Sequence, residues 1–331
     1  MSRKKKSGTD GSVQRSGYEY HLPVLLQQSC DFLVTKPDGK YIDGTLGGGG
    51  HSGEILRRLS PQGSLYSFDK DEQAIAFCRE KFWGELQKAE NSRLKLINEC
   101  FSKACSITGV VGETDGILLD LGLSSRQLDE SRRGFSYRKD SSLDMRFGPN
   151  GKTAEEILHA AKEEEIIAIL RNYGEEPFAY RIARRIMLQR RALPFKTTFA
   201  LRAVVEESVP DKQRTKSLSR VFQAFRIAVN NELEILYNTL HNCLPILSDG
   251  ARFVVISYHS LEDRIVKSFF KEQSIKKAQI KSDLDLTKNM PLLKILTPKP
   301  ILPDDNEIAR NPRARSAKMR VAEVMLYKNK L

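Results

Sequence analysis

The sequence predicts an α/β protein: an open sheet of mainly parallel strands, interrupted by a small all-helical insert. Three observations predict it. From residue 40 onward, short apolar runs that end on an acid alternate with stretches of helical periodicity. A glycine-dense loop follows the first of these runs directly. Between about residues 140 and 215 no strand pattern occurs, and amphipathic helices are expected instead.

Taken in order, residues 1–17 are mostly Ser, Gly, Lys and Arg with almost nothing to bury, so a disordered basic arm is expected. His21-Leu-Pro-Val-Leu-Leu26 opens a short helix. Residues 40–43, 64–69 and 116–120 read as strands, with a helix over 71–83 after the second. Thr153-Ala-Glu-Glu156 is a capping box starting a helix that runs to Leu170 and stops at Tyr173-Gly174. A second helix, 178–190, carries Phe178, Ile182 and Ile186 on one stripe, with Arg181, Arg184 and Arg185 beside them. A third, 199–209, ends at Pro210. Residues 219–247 place apolar side chains at 222, 225, 229, 233, 236, 240 and 244, a spacing that predicts one long helix. Asp249-Gly250 ends that helix, 252–257 is a clear strand, and 319–326 is the last. Residues 271–296 are Lys-rich and receive no assignment. The expected organisation is thus an arm (1–17), a sheet domain in two parts (18–139 and 216–331) and a helical insert (140–215).

The chain has 331 residues, 40% hydrophobic and 29% charged, enough to bury a core. No run approaches the roughly 18 apolar residues of a membrane span. The basic start leads into Thr9-Asp-Gly-Ser12 rather than an apolar stretch, so no signal peptide is expected. Five cysteines without a C-x-x-C pair argue against a disulfide framework and against a zinc site. His21, His159 and His241 have no ligand spacing, and no metal is expected. The composition predicts a soluble, cytoplasmic protein.

Net charge is +12, but its location is more informative. Residues 1–15, 181–220 and 310–330 together carry +18, and the remainder of the chain −6. Three basic segments on a slightly acidic body point to a polyanion such as nucleic acid, as against plain solvated helix faces.

The strongest local signal is Tyr41-Ile-Asp-Gly-Thr-Leu-Gly47-Gly48-Gly49-Gly50-His51-Ser-Gly53. Glycines behind a strand let backbone amides approach a ligand at the next helix start. Gly48, Gly50 and Gly53 satisfy G-x-G-x-x-G, and Asp69 follows at the end of the second strand, placed for two ribose hydroxyls. This pattern fits either a dinucleotide or S-adenosylmethionine. Asp120 ends the next strand, before Leu121-Gly-Leu-Ser124-Ser-Arg126-Gln127, a loop expected to border the same crevice. Asp120 can orient a cofactor, accept a proton or cap a turn. Gly134-Phe-Ser-Tyr-Arg138 with Leu143-Asp-Met-Arg146-Phe147 mixes aromatics and arginines; a packed loop is slightly favoured over a stacking platform for a base. His259-Ser-Leu-Glu262 offers a general base, but a helix start capped by Ser260 is the favoured reading. Asn311-Pro-Arg313-Ala-Arg315 is a basic loop suited to phosphate contact.

Together these strings resemble the bacterial 16S rRNA cytosine-N(4)-methyltransferases of the RsmH (MraW) type. The resemblance runs from about His21 to Glu323 and includes Val221-Phe-Gln-Ala-Phe-Arg-Ile-Ala-Val-Asn230 and Val255-Ile-Ser-Tyr-His-Ser-Leu-Glu-Asp-Arg264. It implies a class I S-adenosylmethionine-dependent methyltransferase fold (Rossmann-like), S-adenosylmethionine as cofactor and a decoding-centre cytosine as acceptor. The substrate would be 16S rRNA, within the assembled small subunit. Cofactor contacts would be Gly49, Gly50, His51, Asp69, Phe101, Asp120 and Gln127, with Asp120 and Ser124 as candidates for the chemistry. Arg138, Arg146, Arg181, Arg184, Arg185, Arg313 and Arg315 are the candidate RNA contacts. The chain departs from the family where Gly48 replaces an Arg, Arg126 a Pro and Asn231 an Asp. The rivals are a nicotinamide-dependent oxidoreductase, which leaves the basic insert unexplained, and a non-catalytic RNA-binding assembly factor, which leaves the glycine loop without work.

Overall fold

The computed structural model describes residues 23–108, 112–123, 133–275 and 293–325. The basic arm and most of the 271–296 segment lie outside these. Among the described residues seven strands form one sheet: β1 (Lys40–Asp43), β2 (Ser64–Phe68), β3 (Leu94–Ile97), β4 (Thr114–Asp120), β5 (Leu247–Ser257), β6 (Leu293–Ile295) and β7 (Lys318–Val324). Their spatial order is β3-β2-β1-β4-β5-β7-β6. The first five run parallel, while β7 is antiparallel to both β5 and β6. This is a Rossmann-like open sheet whose order reverses between β1 and β4.

Alternation along the strands builds a core on each face. Ile117, Leu119, Phe253 and Val255 point to one side. There they meet Leu236 and Leu240 of α11 (Glu232–Cys243) and Phe269 and Phe270 of α12 (Ser260–Ile275). Tyr41, Leu118, Val254 and Ile256 point to the other, against Leu33 of α1 (Leu26–Leu33) and Ile55 of α2 (Gly50–Arg58).

A third core belongs to the helices between β4 and β5: α6 (Ala154–Ala160), α7 (Glu163–Asn172), α8 (Ala179–Ala192), α9 (Thr198–Ser208) and α10 (Arg214–Asn230). The Thr153 capping box is formed as expected, the hydroxyl accepting from the Glu156 amide at 3.1 Å. Ile182 and Ile186 are fully buried, each contributing roughly 1.5–3 kcal/mol relative to exposure.

Four readings of the sequence are corrected. The helix expected over 153–170 is two, because Ala161 and Lys162 turn extended between α6 and α7. The long helix over 219–247 is also two. Asn231 sits at φ 51°, a left-handed conformation that Asn tolerates better than most residues. The apolar spacing continues through the break, which is why the pattern hid it. As a result α10 packs into the helical core through Val221, Phe222 and Phe225, while Leu236 and Leu240 beyond the break pack on the sheet. Asp249-Gly250 does not separate helix from strand but lies within β5, where the pairing with β4 shifts register. Strands β3 and β6 went unread: they are four and three residues long and carry Lys95 and Lys294, so neither shows a clear apolar run. Among the described residues no helix is long and apolar enough to cross a membrane.

Candidate active site

The reversal between β1 and β4 opens a crevice at the strands' carboxyl ends. A cavity of about 640 Å³ fills it, within the ~300–1,000 Å³ usual for small-molecule sites. The glycine loop, Asp69, Phe101, Asp120 and the turn after β5 all line it.

Three strands deliver an acid here, and each acid does something different. Asp43, the last residue of β1, is fully buried. It accepts from Ser52 Oγ at 2.6 Å and from the Thr45 amide at 3.0 Å, pinning the loop to α2. Asp69, just past β2, accepts from the Gly47 amide at 2.8 Å and the Asp71 amide at 2.8 Å. Its side chain remains partly open to the cavity, and each oxygen keeps acceptor capacity for a ligand hydroxyl. Burial pushes its carboxyl up to about 6, against the pull of those two amides.

Asp120 closes β4. Its amide donates to Thr45 Oγ1 at 2.7 Å, and its Oδ1 accepts from the Tyr258 hydroxyl at 2.8 Å. Oδ2 lies 3.7 Å from His51 Nδ1, beyond a hydrogen bond. Burial raises this carboxyl to about 6 as well, with His51 and Tyr258 favouring its charged form and Asp43 and Glu262 opposing it. Burial also carries the Tyr258 hydroxyl well above its ordinary value, so it stays a donor.

The loop itself needs two of its glycines for geometry. Gly49 has φ 67° and precedes α2; a Cβ there would lie 2.7 Å from the Phe82 ring. That side therefore packs inward, and Gly49 is not among the cavity-lining residues, unlike Gly50 and His51. At Gly44 a Cβ would fall 2.4 Å from Leu119 Cδ2 and 3.0 Å from Phe101 Cβ, so glycine is what lets the Phe101 turn close over the loop. Gly48 brings no side chain to the loop, but a cation is present: Lys81 of α3 (Glu72–Lys81) reaches the carbonyls of Gly48 at 2.7 Å and Gly49 at 3.1 Å.

Sequence reasoning missed the wall built by Phe147, Arg226, Glu232, Tyr258 and Glu262, which also line the cavity. Arg226 forks onto Glu232 at 2.8 and 2.9 Å across the Asn231 break. The signal that could have revealed Tyr258 is its place directly after the clearest late strand. Glu232, His259 and Glu262 bring donor atoms within 4.8 Å of one another, yet the cation beside Glu232 is Arg226. His259 acts as a cap: Nδ1 accepts from the Glu262 amide at 3.4 Å, and Glu262 takes the Tyr258 amide at 2.8 Å. The helix start was read correctly but its cap was not, since Ser260 Oγ donates to Glu175 instead.

Ser124, Arg126 and Gln127 lie outside the described residues. Of the basic candidates, Arg138, Arg181, Arg184 and Arg185 are exposed, as is Arg315. Arg185 pairs with Glu207, and Arg313 lines the cavity. The Arg146 guanidinium is held by Asp144 at 2.8 Å and by the Pro149 carbonyl at 2.7 Å, which braces its own loop. Phe135 stacks on Phe147 and Tyr137 meets Phe222 edge-on, so the aromatic segment is a packed loop. His159 accepts from the Phe195 amide at 3.0 Å and His241 meets the Tyr237 carbonyl at 2.8 Å, both structural roles.

Comparison with known proteins agrees with this geometry. A ribosomal RNA small subunit methyltransferase H from Caldicellulosiruptor saccharolyticus is 44% identical over 92% of this chain and 98% of its own length. The enzyme of the same name from Heliobacterium modesticaldum is 44% identical over the same shares. The crystal structure of an rRNA methylase from Streptococcus thermophilus aligns over 91% of this chain and 93% of its own at TM-score 0.40 and 10% identity, too slight a likeness to carry an argument. Residues 19–325 match one family across the glycine loop, both cavity acids and the helical layer, and the chain belongs to it: the MraW methylase family.

Proposed function

We propose that the protein methylates the exocyclic N(4) amine of a cytosine in the decoding centre of 16S rRNA, within the assembled small subunit. The observation that carries this reading is Asp120, held at the switch point of the sheet on the same cavity as Asp69, with Oδ1 taken by Tyr258 and no hydrogen bond to Oδ2 among the described residues. The methyl donor is S-adenosylmethionine, and the residues present fit it. Asp69 offers acceptors for paired ribose hydroxyls, Phe101 an apolar ring for adenine, and Gly50 with His51 a close helix start. When bound, this cofactor supplies an electrophilic sulfonium methyl.

A cytosine amine is a weak nucleophile because its lone pair is delocalised into the ring. The protein's contribution is to hold it in line, and orientation of this kind is worth roughly 7–11 kcal/mol. Asp120 Oδ2 accepts a hydrogen of the amine, restoring lone-pair character, and takes the proton once the N–C bond has formed. With its carboxyl at about 6, Asp120 is ionised at neutral pH yet basic enough to do this. The oxidoreductase and the non-catalytic assembly factor find no support beside a methylase family.

The exposed arginines of α8 supply phosphate contacts. Arg184→Ala with Arg185→Ala is expected to weaken rRNA binding and to flatten its salt dependence by about two counterions, leaving cofactor affinity intact. Identical salt titrations for wild type and variant would remove α8 from the RNA site. The function itself is tested by transferring labelled methyl to small subunits lacking this modification and mapping the labelled nucleotide. Label on N(4) of a decoding-centre cytosine is the expected result. No label, with cofactor binding intact, means another acceptor.

A further inference from the structure

We propose that Tyr258 is a positioning residue for methyl transfer: its hydroxyl occupies one oxygen of Asp120 so that the other alone is presented, ionised, to the acceptor amine. This rests on the acceptor role given to Asp120 above. The sheet dictates the meeting. In the parallel pairing of β4 with β5, Asp120 is opposite Ile256, and Leu121 donates to the Ile256 carbonyl at 2.9 Å. Tyr258, two residues further on, therefore reaches across the end of β4. Its ring rests against Gly122, which has φ 100°, and a Cβ there would come within 3.3 Å of the Tyr258 ring. A side chain at position 122 would crowd the ring that carries the hydroxyl.

The two oxygens of Asp120 are thereby made unequal. Oδ1 takes the Tyr258 hydroxyl at 2.8 Å. Oδ2 makes no hydrogen bond among the described residues, with His51 Nδ1 3.7 Å away. The His51 ring is anchored through Nε2, 3.2 Å from the Val24 carbonyl; a carbonyl only accepts, so Nε2 carries the proton. Among the described residues the charged and titratable groups acting on Asp120 are His51 from α2, Asp43 from β1, Tyr258 from the turn after β5 and Glu262 from the first turn of α12. Asp43 is tied to Ser52 and Thr45, and Glu262 to the Tyr258 amide. Of these groups, Tyr258 is the one whose side chain donates a hydrogen bond to the Asp120 carboxylate.

Donation stabilises the charged form, so its removal raises the pKa of Asp120. Tyr258→Phe keeps the ring and loses only the hydroxyl. Single-turnover methyl transfer, measured from about pH 5.5 to about 9, is expected to show its acid limb shifted upward by about one unit, with a roughly tenfold loss below the limb that shrinks as pH rises. S-adenosylhomocysteine affinity should stay near wild type, and the melting midpoint at neutral pH should fall by only a few degrees, the linked cost of the shift. A direct readout accompanies the rates. With ¹³Cγ-labelled aspartate, the resonance that disappears in Asp120→Asn belongs to Asp120, and its titration midpoint should rise in Tyr258→Phe. Placing 3-fluorotyrosine at position 258, a stronger donor, should move both midpoints down. Unchanged midpoints in Tyr258→Phe overturn the proposal while leaving Asp120 as acceptor. If Asp120→Asn keeps the wild-type rate and acid limb, the acceptor reading falls and the role of Tyr258 falls with it.

Discussion

Asp120→Asn is expected to lower the single-turnover rate at saturating cofactor by about 10²-fold or more, the usual weight of a positioned proton acceptor. The same change should make the ligand-free protein more stable at neutral pH. The sign follows from the raised pKa. A carboxyl whose folded pKa is about 6 binds more protons folded than unfolded between its ordinary value and 6, so it loses stability as pH rises through that window. Above the window the full cost remains. With 20% of the side chain open, that cost is about 1–2 kcal/mol. Asn is isosteric, still accepts from Tyr258, and carries no charge to bury. Its melting midpoint should therefore exceed wild type at pH 7, with the gain gone by about pH 4. A rate loss without stabilisation would mean that Asp120 is not held charged at a cost. An unchanged rate with weaker cofactor binding would reduce it to a cofactor contact.

Asp69→Ala should raise the dissociation constant of S-adenosylhomocysteine by about 10- to 150-fold, corresponding to roughly 1.5–3 kcal/mol for hydrogen bonds to a charged group. Two losses combine there. The ligand loses its acceptor, and the amides of Gly47 and Asp71 lose the carboxylate that holds the glycine loop against the start of α3. Affinity of the wild type should also fall as pH drops below about 6, because protonation removes the charged acceptor. Calorimetry of wild type and variant across that range checks both statements. An affinity within about twofold of wild type would contradict the role.

The fold was legible where local pattern and tertiary environment demand the same thing. β1, β2, β4, the Arg252–Ser257 part of β5 and β7 are short apolar runs because both faces of a central strand are buried, and three of them carry an acid at or just past their end because the site lies there. β3 and β6 escaped because edge strands of three or four residues tolerate lysine. The break at Asn231 escaped because periodicity records which side faces the core, and both halves of the broken helix obey it.

For the site, the residues by themselves determined the glycine loop, Asp69 and Asp120 as cavity residues, since each is tied to the end of a strand or to a motif of fixed spacing, while Phe101 followed from the family resemblance. The tertiary structure alone decided the rest. Gly49 turns inward against Phe82, Arg146 braces its own loop, and His259 caps α12. Tyr258 meets Asp120 across 138 positions of sequence. That last contact is set by the register of two parallel strands and by the absence of a side chain at Gly122, and neither is a property of any local stretch of the chain.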